Sequence, residues 1–334
     1  MVRPMNAPAR RLPAALALAA SAALLAACGG DESPEDTGDA PVDAPAATAF
    51  PKPQGTLDDL IAEIGPTQEI VAPAAGAVFE PGDKRLGIGL FDVGGAQITD
   101  ADVAIYAAHT AHGEALGPFP ARIESLATEP EFVAETTAES DAKVVYVADV
   151  PFKQTGEWRL AAAIDTGDGL VATYVNPSVI VKDDKEIPSV GEPAPEMHTP
   201  TLAEVGGDVE SIDTRQPPSS MHGDDLADVL GEKPVVLLFA TPALCVSRVC
   251  GPVVDVAEQV KAEYGDEVAF IHQEIWNDNE ATGEPQDLRP QVKEYGLFSE
   301  PWLFVIDENG DVATRIEGAF SVSELEDALD PLVS

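Results

Sequence analysis

An unbroken apolar run from Pro234 to Phe239 constrains the fold of this 334-residue chain more than any other feature. Such a short apolar run predicts a strand that is buried on both faces. A segment with helical periodicity follows, and two cysteines, Cys245 and Cys250, lie where it begins. A buried strand that leads into a helix is typical of α/β folds, so we expect an α/β domain with two thiols at a strand–helix junction.

The position of these two thiols indicates redox chemistry. The start of a helix offers unpaired N–H groups and a partial positive charge, and Arg248 lies between the cysteines. Both features favour thiolate over thiol. We therefore assign Cys245 as the attacking thiolate and Cys250 as the resolving thiol. The alternative is an inert disulfide that only stabilises an exported protein.

The spacing of the cysteines restricts how they can form a disulfide. Five residues on a regular helix correspond to about 140° of rotation and about 7.5 Å of rise, which separates the Cα atoms by roughly 8 to 9 Å. A disulfide needs less than about 7 Å between them. Oxidation therefore requires either that Cys245 lies in the loop before the helix or that the first helical turn unwinds.

The N-terminal segment indicates export. Residues 1–27 combine three arginines with an apolar stretch from Leu12 to Ala27, which is typical of a cleaved signal peptide. The ending Leu25-Ala26-Ala27-Cys28 resembles a bacterial lipoprotein signal. This resemblance implies cleavage before Cys28, lipidation of its thiol by groups such as palmitate, and attachment to the extracytoplasmic face of the cell membrane. An ordinary signal peptide with an incidental cysteine is the alternative.

The charge of the chain excludes some partners. With 19 basic and 59 acidic residues, the formal net charge is −40, which argues against nucleic acid and anionic membrane surfaces as electrostatic partners. Residues 28–64 are predicted to form a disordered acidic tether, because Asp31 to Lys52 contains almost no bulky apolar residues. A short helix is expected near its end, from Thr56 to Ile64.

Residues 65–185 show the pattern of an all-β immunoglobulin-like sandwich. Short strand-like runs alternate with Gly- and Asp-containing turns at the intervals that such sandwiches have. The predicted strands are 85–93, 102–107, 143–150, 157–164 and 170–175. His109 and His112 could bind a metal, but two histidines in a polar loop without a third ligand are more often plain surface residues. Trp158, like Trp302 further on, is expected in the core.

Residues 186–334 alternate between strand and helix patterns. The predicted elements are strand 234–240, helix 248–264, strand 267–275, helix 287–296, strand 302–307, strand 311–317 and helix 322–332. Ser321 and Glu324 form a capping box for the last helix, and Asn309-Gly310 predicts a hairpin turn before it.

This order and several motifs resemble the thioredoxin fold. Val190-Gly191-Glu192-Pro193 resembles the entry turn of extracytoplasmic thioredoxin and redoxin domains, and the phrase from Ser299 to Asp307 resembles the family's segment with a cis-proline. The resemblance implies that Pro301 is this cis-proline and faces the thiol pair. It also implies a thiol-disulfide oxidoreductase that acts on protein thiols and disulfides and needs no cofactor.

The Cys-x4-Cys spacing also resembles that of the Q-type peroxiredoxins. In that family the first thiol meets peroxide and the second resolves it, so the chain is alternatively a thiol peroxidase. Thr241-Pro242 before Cys245 resembles the family's Thr-Pro-x-Cys, but one extra residue separates Thr241 from Cys245.

A copper-delivery or binding lipoprotein without catalysis is the third possibility. Thioredoxin-fold proteins of this kind use a close cysteine pair and a distant histidine, because thiolates suit Cu(I). The candidate histidines are His198, His222 and His272. His222 lies in an insertion from Val209 to Gly223 that we expect to be mobile, and His272 lies on a predicted strand.

Overall fold

The computed structural model describes residues 41–138, 140–183 and 186–333. The predicted signal peptide and Cys28 lie outside these residues. Within the described ranges, the helices are all too short or too polar to cross a membrane.

The first part of the described chain is a β domain with one helix. Its elements are α1 (Leu57–Ile64), β1 (Ile70–Pro73), β2 (Val78–Phe79), β3 (Gly82–Ile88), β4 (Phe91–Asp92), β5 (Asp102–His109), β6 (Leu116–Ser125), β7 (Val144–Phe152), β8 (Gly156–Asp165) and β9 (Leu170–Val181). The strands pair in the order β3-β7-β6-β5-β8-β9-β1-β4, with β2 beside β9. Four of the five predicted strands are present, whereas the predicted strand 85–93 is divided between β3 and β4, which lie at opposite ends of this order. The immunoglobulin-like assignment stays a prediction.

Strand β6 joins the two halves of this domain. Its first half pairs with β5, and its second half pairs with β7. Side chains from β3 and β7 and from β5, β8 and β9 share one apolar core, in which Trp158 is buried as predicted. Strand β6 was not predicted, because it contains Pro118 and Pro120 and prolines argue against an interior strand.

Helix α1 packs against the sheet, so the prediction of a disordered tether over 28–64 is wrong for its last part. Leu57, Leu60 and Ile61 are buried on one face of the helix, against residues of the sheet that include Tyr106. Their helical spacing gives the segment enough apolar surface to order itself. Thr56 caps the helix, and the short helix predicted here is confirmed.

The second part of the chain is a thioredoxin-like α/β domain. Its elements are α2 (Leu226–Val229), β10 (Val235–Phe239), α3 (Cys250–Tyr264), β11 (Ala269–Gln273), α4 (Pro290–Glu294), β12 (Trp302–Ile306), β13 (Val312–Glu317) and α5 (Val322–Leu329). The sheet order is β11-β10-β12-β13, with β10 and β11 parallel and the other neighbours antiparallel. This topology, with α3 after the first strand, is that of the thioredoxin fold.

The sheet lies between two apolar cores. Residues of α3 and α5 form one core with the sheet, and residues from α2 and α4 contribute to the other, which includes Trp302. The capping box of Ser321 and Glu324 is present as predicted. The helix boundaries differ in part from the predicted ones: α3 begins at Cys250 instead of residue 248, and α4 begins at Pro290 instead of residue 287, because proline is favoured at the first position of a helix. Helix α4 ends at Glu294 instead of residue 296, and α5 ends at Leu329 instead of residue 332.

Glu324 also connects the two domains. Arg85 donates two hydrogen bonds of 2.7 Å to the Glu324 carboxylate, and Arg122 donates a third of 2.8 Å. A bidentate pair of this kind fixes orientation as well as distance. The start of α5 is therefore held against β3 and β6, and the β domain is a fixed neighbour of the thioredoxin-like domain.

Candidate functional site

Cys245 and Cys250 form a disulfide at the end of β10. Their Cα atoms are 6.0 Å apart, because Cys245 lies in the loop before α3 and Cys250 is the first residue of that helix. Of the two routes to oxidation that the spacing allows, the loop position is the one observed. Cys250 is fully buried, whereas Cys245 is half-buried, so Cys245 carries the sulfur that a partner can reach.

Arg248, which we expected to favour a thiolate, contacts the β domain. Its guanidinium forms an ion pair with Asp141 of the β domain, and its backbone carbonyl accepts a 3.1 Å hydrogen bond from Ser140 Oγ. Its φ of 62° lies in the left-handed region, which non-glycine residues seldom adopt. A polar neighbour of Cys245 is Ser247, whose Oγ lies 3.1 Å from Cys245 Sγ.

Pro301 has the cis peptide bond that the sequence motif predicts. The next residue, Trp302, pairs with Phe239 at the end of β10. The register therefore brings Pro301 opposite Ala240. Ala240 begins the segment between β10 and α3, residues 240–249, which we call the disulfide loop. Thr241 follows there and is fully buried, with no hydrogen-bond partner for its hydroxyl among the described residues.

Glu300, directly before the cis-proline, was missed by the sequence analysis. One of its carboxylate oxygens and the sulfurs of Cys245 and Cys250 all lie within 4.8 Å of one another. Its Oε2 is buried and has no hydrogen-bond partner among the described residues. Burial, together with the Glu274 carboxylate nearby, raises the pKa of Glu300 to about 7. The only signal in the sequence was a charged residue in front of the proline.

Glu274 contacts the disulfide loop indirectly, through Thr214. Its Oε1 accepts hydrogen bonds of 2.7 Å from both the backbone N–H and the hydroxyl of Thr214. The Thr214 hydroxyl in turn accepts a 3.2 Å hydrogen bond from the N–H of Ala243, inside the loop. Glu274 therefore positions the loop through Thr214, in addition to its electrostatic effect on Glu300.

Two of the candidate histidines lie in a buried cluster of their own. His222 Nε2 lies 2.9 Å from Asp213 Oδ2, and His272 Nδ1 lies 3.4 Å from the same oxygen. Ser219 Oγ is 3.2 Å from a nitrogen of each ring. His272 Nε2 donates to the carbonyl of Ala240, which places the cluster directly behind the end of β10.

Charge is distributed unevenly in this cluster. Burial works against a charged His272, yet the Asp213 carboxylate beside it raises the pKa of His272 to about 9. Burial would likewise raise the pKa of Asp213, but the charge of His272 and the hydrogen bonds of both histidines hold it well below its usual range. Burial lowers the pKa of His222. At neutral pH the cluster is thus an Asp213–His272 ion pair with a neutral His222.

These contacts correct the expectation that the insertion from Val209 to Gly223 is mobile. Met221 is fully buried, and Asp213 and His222 are nearly so. The order of this segment could not be predicted, because its partner His272 lies about 50 residues further along the chain. His198 is elsewhere, with its Nδ1 2.7 Å from Asp225. Among the described residues, no histidine joins the group formed by the two cysteine sulfurs and Glu300.

The loop between β6 and β7 of the β domain covers one side of the disulfide loop and α3. The carbonyl of Phe132 accepts a hydrogen bond from Arg215, which is also paired with Asp255 of α3. Thr137 packs so closely against Gly251 that a Cβ there would lie 2.7 Å from its hydroxyl. Residues of this loop and Cys245 line a cavity of about 200 Å³. The β domain thus contributes a wall of the site.

A second, more apolar cavity of about 350 Å³ lies on the cis-proline side. Its lining includes Ser299 and Glu300, which precede the cis-proline, together with Trp276 and Leu288. The indole N–H of Trp276 is buried and has no hydrogen-bond partner among the described residues. Glu300 lines this cavity and also lies within 4.8 Å of the two sulfurs, so it connects the cavity to the disulfide.

His109 ends β5 of the β domain, and His112 follows it. His109 Nε2 is 3.0 Å from the carbonyl oxygen of Thr155, and its ring packs against Trp158. His112 is exposed in the turn that follows.

Comparisons with known proteins found similarity only at the level of structure. No family model matches the chain, and no curated protein sequence matches it. A putative thiol:disulfide interchange protein DsbE from Chlorobium tepidum is 18% identical, with a TM-score of 0.31, over 44% of this chain and 99% of that one. A thioredoxin family protein from Chlorobium tepidum TLS is 16% identical, with a TM-score of 0.27, over the same shares of the two chains. The Lin-41 filamin domain is 10% identical, with a TM-score of 0.18, over 40% of this chain and 100% of that domain. The thioredoxin assignment therefore rests on the strand order and pairing described above.

Proposed function

We propose that this protein is a thiol-disulfide oxidoreductase that exchanges electrons with protein substrates through Cys245 and Cys250. The observation that carries the proposal is the unequal burial of the two sulfurs beside a cis-proline. Cys245 is half-buried and can meet a substrate, whereas Cys250 is fully buried behind it. An inert disulfide gains nothing from such an arrangement, whereas a two-step exchange needs one accessible and one protected sulfur.

In the reducing direction, the Cys245 thiolate attacks a substrate disulfide and displaces one substrate thiolate. Cys250 then attacks Cys245 Sγ and releases the second substrate thiolate, so that two electrons pass from the protein dithiol to the substrate. The oxidising direction is the reverse of these steps. Pro301 lies beside the disulfide loop and would align the incoming substrate chain.

The two cavities support a polypeptide as the substrate. The one on the cis-proline side offers apolar surface for residues next to the reacting substrate cysteine. The one on the β-domain side is bounded by Thr136 and Ser140, so the β domain would help select the substrate.

We further propose that the protein acts at the extracytoplasmic face of the cell membrane, held there by lipid on Cys28. The support is the sequence Leu25-Ala26-Ala27-Cys28 after a basic and apolar leader. The protein would then meet exported proteins, whose cysteines form disulfides in that compartment.

Trapping of mixed disulfides tests the proposed exchange reaction. Cys250→Ala should accumulate substrate proteins bound through Cys245, because the bound substrate cannot be released. Cys245→Ala serves as the matched control and should trap nothing. If Cys245→Ala traps substrates and Cys250→Ala does not, the two roles are reversed. If neither variant traps any protein, the proposal is wrong.

A further inference from the structure

The buried position of Cys250 creates a problem of proton transfer that the two cysteines alone do not solve. Cys250 must lose its proton before it can attack Cys245, yet it is fully buried and has no contact with bulk water. Thiolate, not thiol, is the nucleophile in disulfide exchange. A nearby group must therefore take the proton at this step.

We propose that Glu300 accepts the proton of the Cys250 thiol during resolution and returns it to the leaving substrate sulfur. This inference rests on the proposed exchange reaction and adds a third catalytic residue to it. Among the described residues, Glu300 supplies the carboxylate that lies within 4.8 Å of both sulfurs.

The free Oε2 of Glu300 supports this role. A buried carboxylate oxygen without a partner is costly, and structural carboxylates normally accept several hydrogen bonds. Glu274 Oε2 is likewise buried without a partner among the described residues, but Glu274 Oε1 accepts two hydrogen bonds from Thr214 and thereby holds the loop. Glu300 Oε2 accepts none from the described residues and so remains available to a proton donor.

The surroundings of Glu300 also suit proton transfer near neutral pH. Glu274 faces it from the end of β11, and the two cysteines face it from the disulfide loop and α3. Apart from Glu300 itself, none of the residues that line the cavity of about 350 Å³ is ionisable. Burial and the Glu274 charge raise the pKa of Glu300 to about 7, close to the value that a proton acceptor needs at that pH.

The protons and electrons balance in this scheme. The Cys245 thiolate breaks the substrate disulfide, and the first substrate thiolate takes a proton from solvent. The Cys250 thiol then passes its proton to Glu300, and the new thiolate forms the Cys245–Cys250 bond as the bond from Cys245 to the substrate breaks. The second substrate thiolate takes the proton from Glu300, which returns to its carboxylate form.

The reaction of the reduced protein with the aromatic disulfide DTNB separates the two steps. In a Cys28→Ala background, the attack of Cys245 releases one TNB anion at a rate proportional to the DTNB concentration. Attack of Cys250 on the mixed disulfide then releases a second at a rate independent of that concentration. Because TNB leaves without a proton, the second rate reports the deprotonation of Cys250.

Glu300→Gln should slow the second release about 100-fold at pH 7, the size typical of a lost proton acceptor, and leave the first within a few-fold. Glu300→Asp should restore part of the second rate, and Glu294→Gln, at an exposed carboxylate, should change neither. In the protein with Glu300 intact, the rate of the second TNB release should rise as the pH increases through about 7. In Glu300→Gln this rise should be absent.

An unchanged second rate in Glu300→Gln, or an equal slowing of both releases, would overturn the role of Glu300. Neither result would affect the proposed exchange reaction. That reaction fails separately if the protein with Glu300 intact releases only one TNB anion.

Discussion

The buried ion pair between Asp213 and His272 should contribute strongly to stability, and its removal gives a quantitative test. Replacing Asp213 with Asn keeps the shape of the side chain but removes the charge that faces His272. It also weakens the acceptor that binds the backbone N–H groups of Arg215 and Ser219, both at 2.7 Å. His272 must then become neutral or remain as an unpaired buried charge.

The magnitude follows from the shifted pKa. A rise in the pKa of His272 from 6.5 to about 9 corresponds to roughly 3 kcal/mol of stabilisation, at 1.36 kcal/mol per pKa unit. Loss of one partner of a buried ion pair typically costs about 3 to 5 kcal/mol. We therefore expect Asp213→Asn to lower the free energy of unfolding by about 3 kcal/mol near neutral pH.

The pH dependence has a definite sign. Because the pKa of His272 is raised in the folded protein, its stabilisation is fully present below pH 6.5 and is lost as the pH rises through about 9. The difference between the unsubstituted protein and Asp213→Asn should therefore shrink between pH 7 and pH 10.

Urea unfolding followed by tryptophan fluorescence, with Trp302 as a buried reporter of the thioredoxin-like domain, measures this difference. Asp224→Asn is the matched control, since it removes the partly exposed ion pair with Lys233 and should cost about 1 kcal/mol or less. A loss below about 1 kcal/mol in Asp213→Asn, or a difference that grows above pH 9, would refute the assignment of a buried ion pair.

Three further predictions concern anchoring, substrate alignment and the choice between enzyme classes. Cys28→Ala should release the protein from membranes without changing the redox state of the other two cysteines, and continued membrane association after fractionation would count against lipidation. Pro301→Ala should slow exchange with a protein disulfide, measured by thiol release, because the incoming chain loses the surface that aligns it; an unchanged rate would exclude that role. Cys245 should react with hydrogen peroxide no faster than an ordinary thiol of low pKa, because the extra residue after Thr241 disturbs a peroxide site. Rapid peroxide consumption that depends on Cys245 but not on Pro301 would instead favour a Q-type peroxiredoxin.

Features encoded by short stretches of sequence could be predicted. The apolar run 234–239 predicted β10, and the motif around Pro301 predicted the cis-proline. Each of these features depends on residues that are neighbours in the sequence. The capping box of α5 is equally local, since Ser321 and Glu324 are three residues apart.

Features that depend on distant residues could not be predicted. His222 and Asp213 meet His272 across about 50 residues or more, so the segment that holds them looked like a mobile insertion. The pairing of Arg248 with Asp141 joins two domains, and nothing near Arg248 in the sequence indicates it. Glu300 looked like an ordinary loop residue, because its importance lies in the two sulfurs that the fold brings beside it.

The equilibrium redox potential of the Cys245–Cys250 pair tests the central claim most directly. The measurement titrates the native Cys28→Ala protein against dithiothreitol buffers and counts free thiols at each potential. Structural disulfides in exported proteins lie below about −300 mV, whereas exchange-active pairs lie above this value. Because Cys245 is accessible and Cys250 is positioned to resolve, we expect a reversible two-electron transition above about −300 mV. A pair that remains fully oxidised below that potential in the folded protein would contradict the account and identify the disulfide as structural.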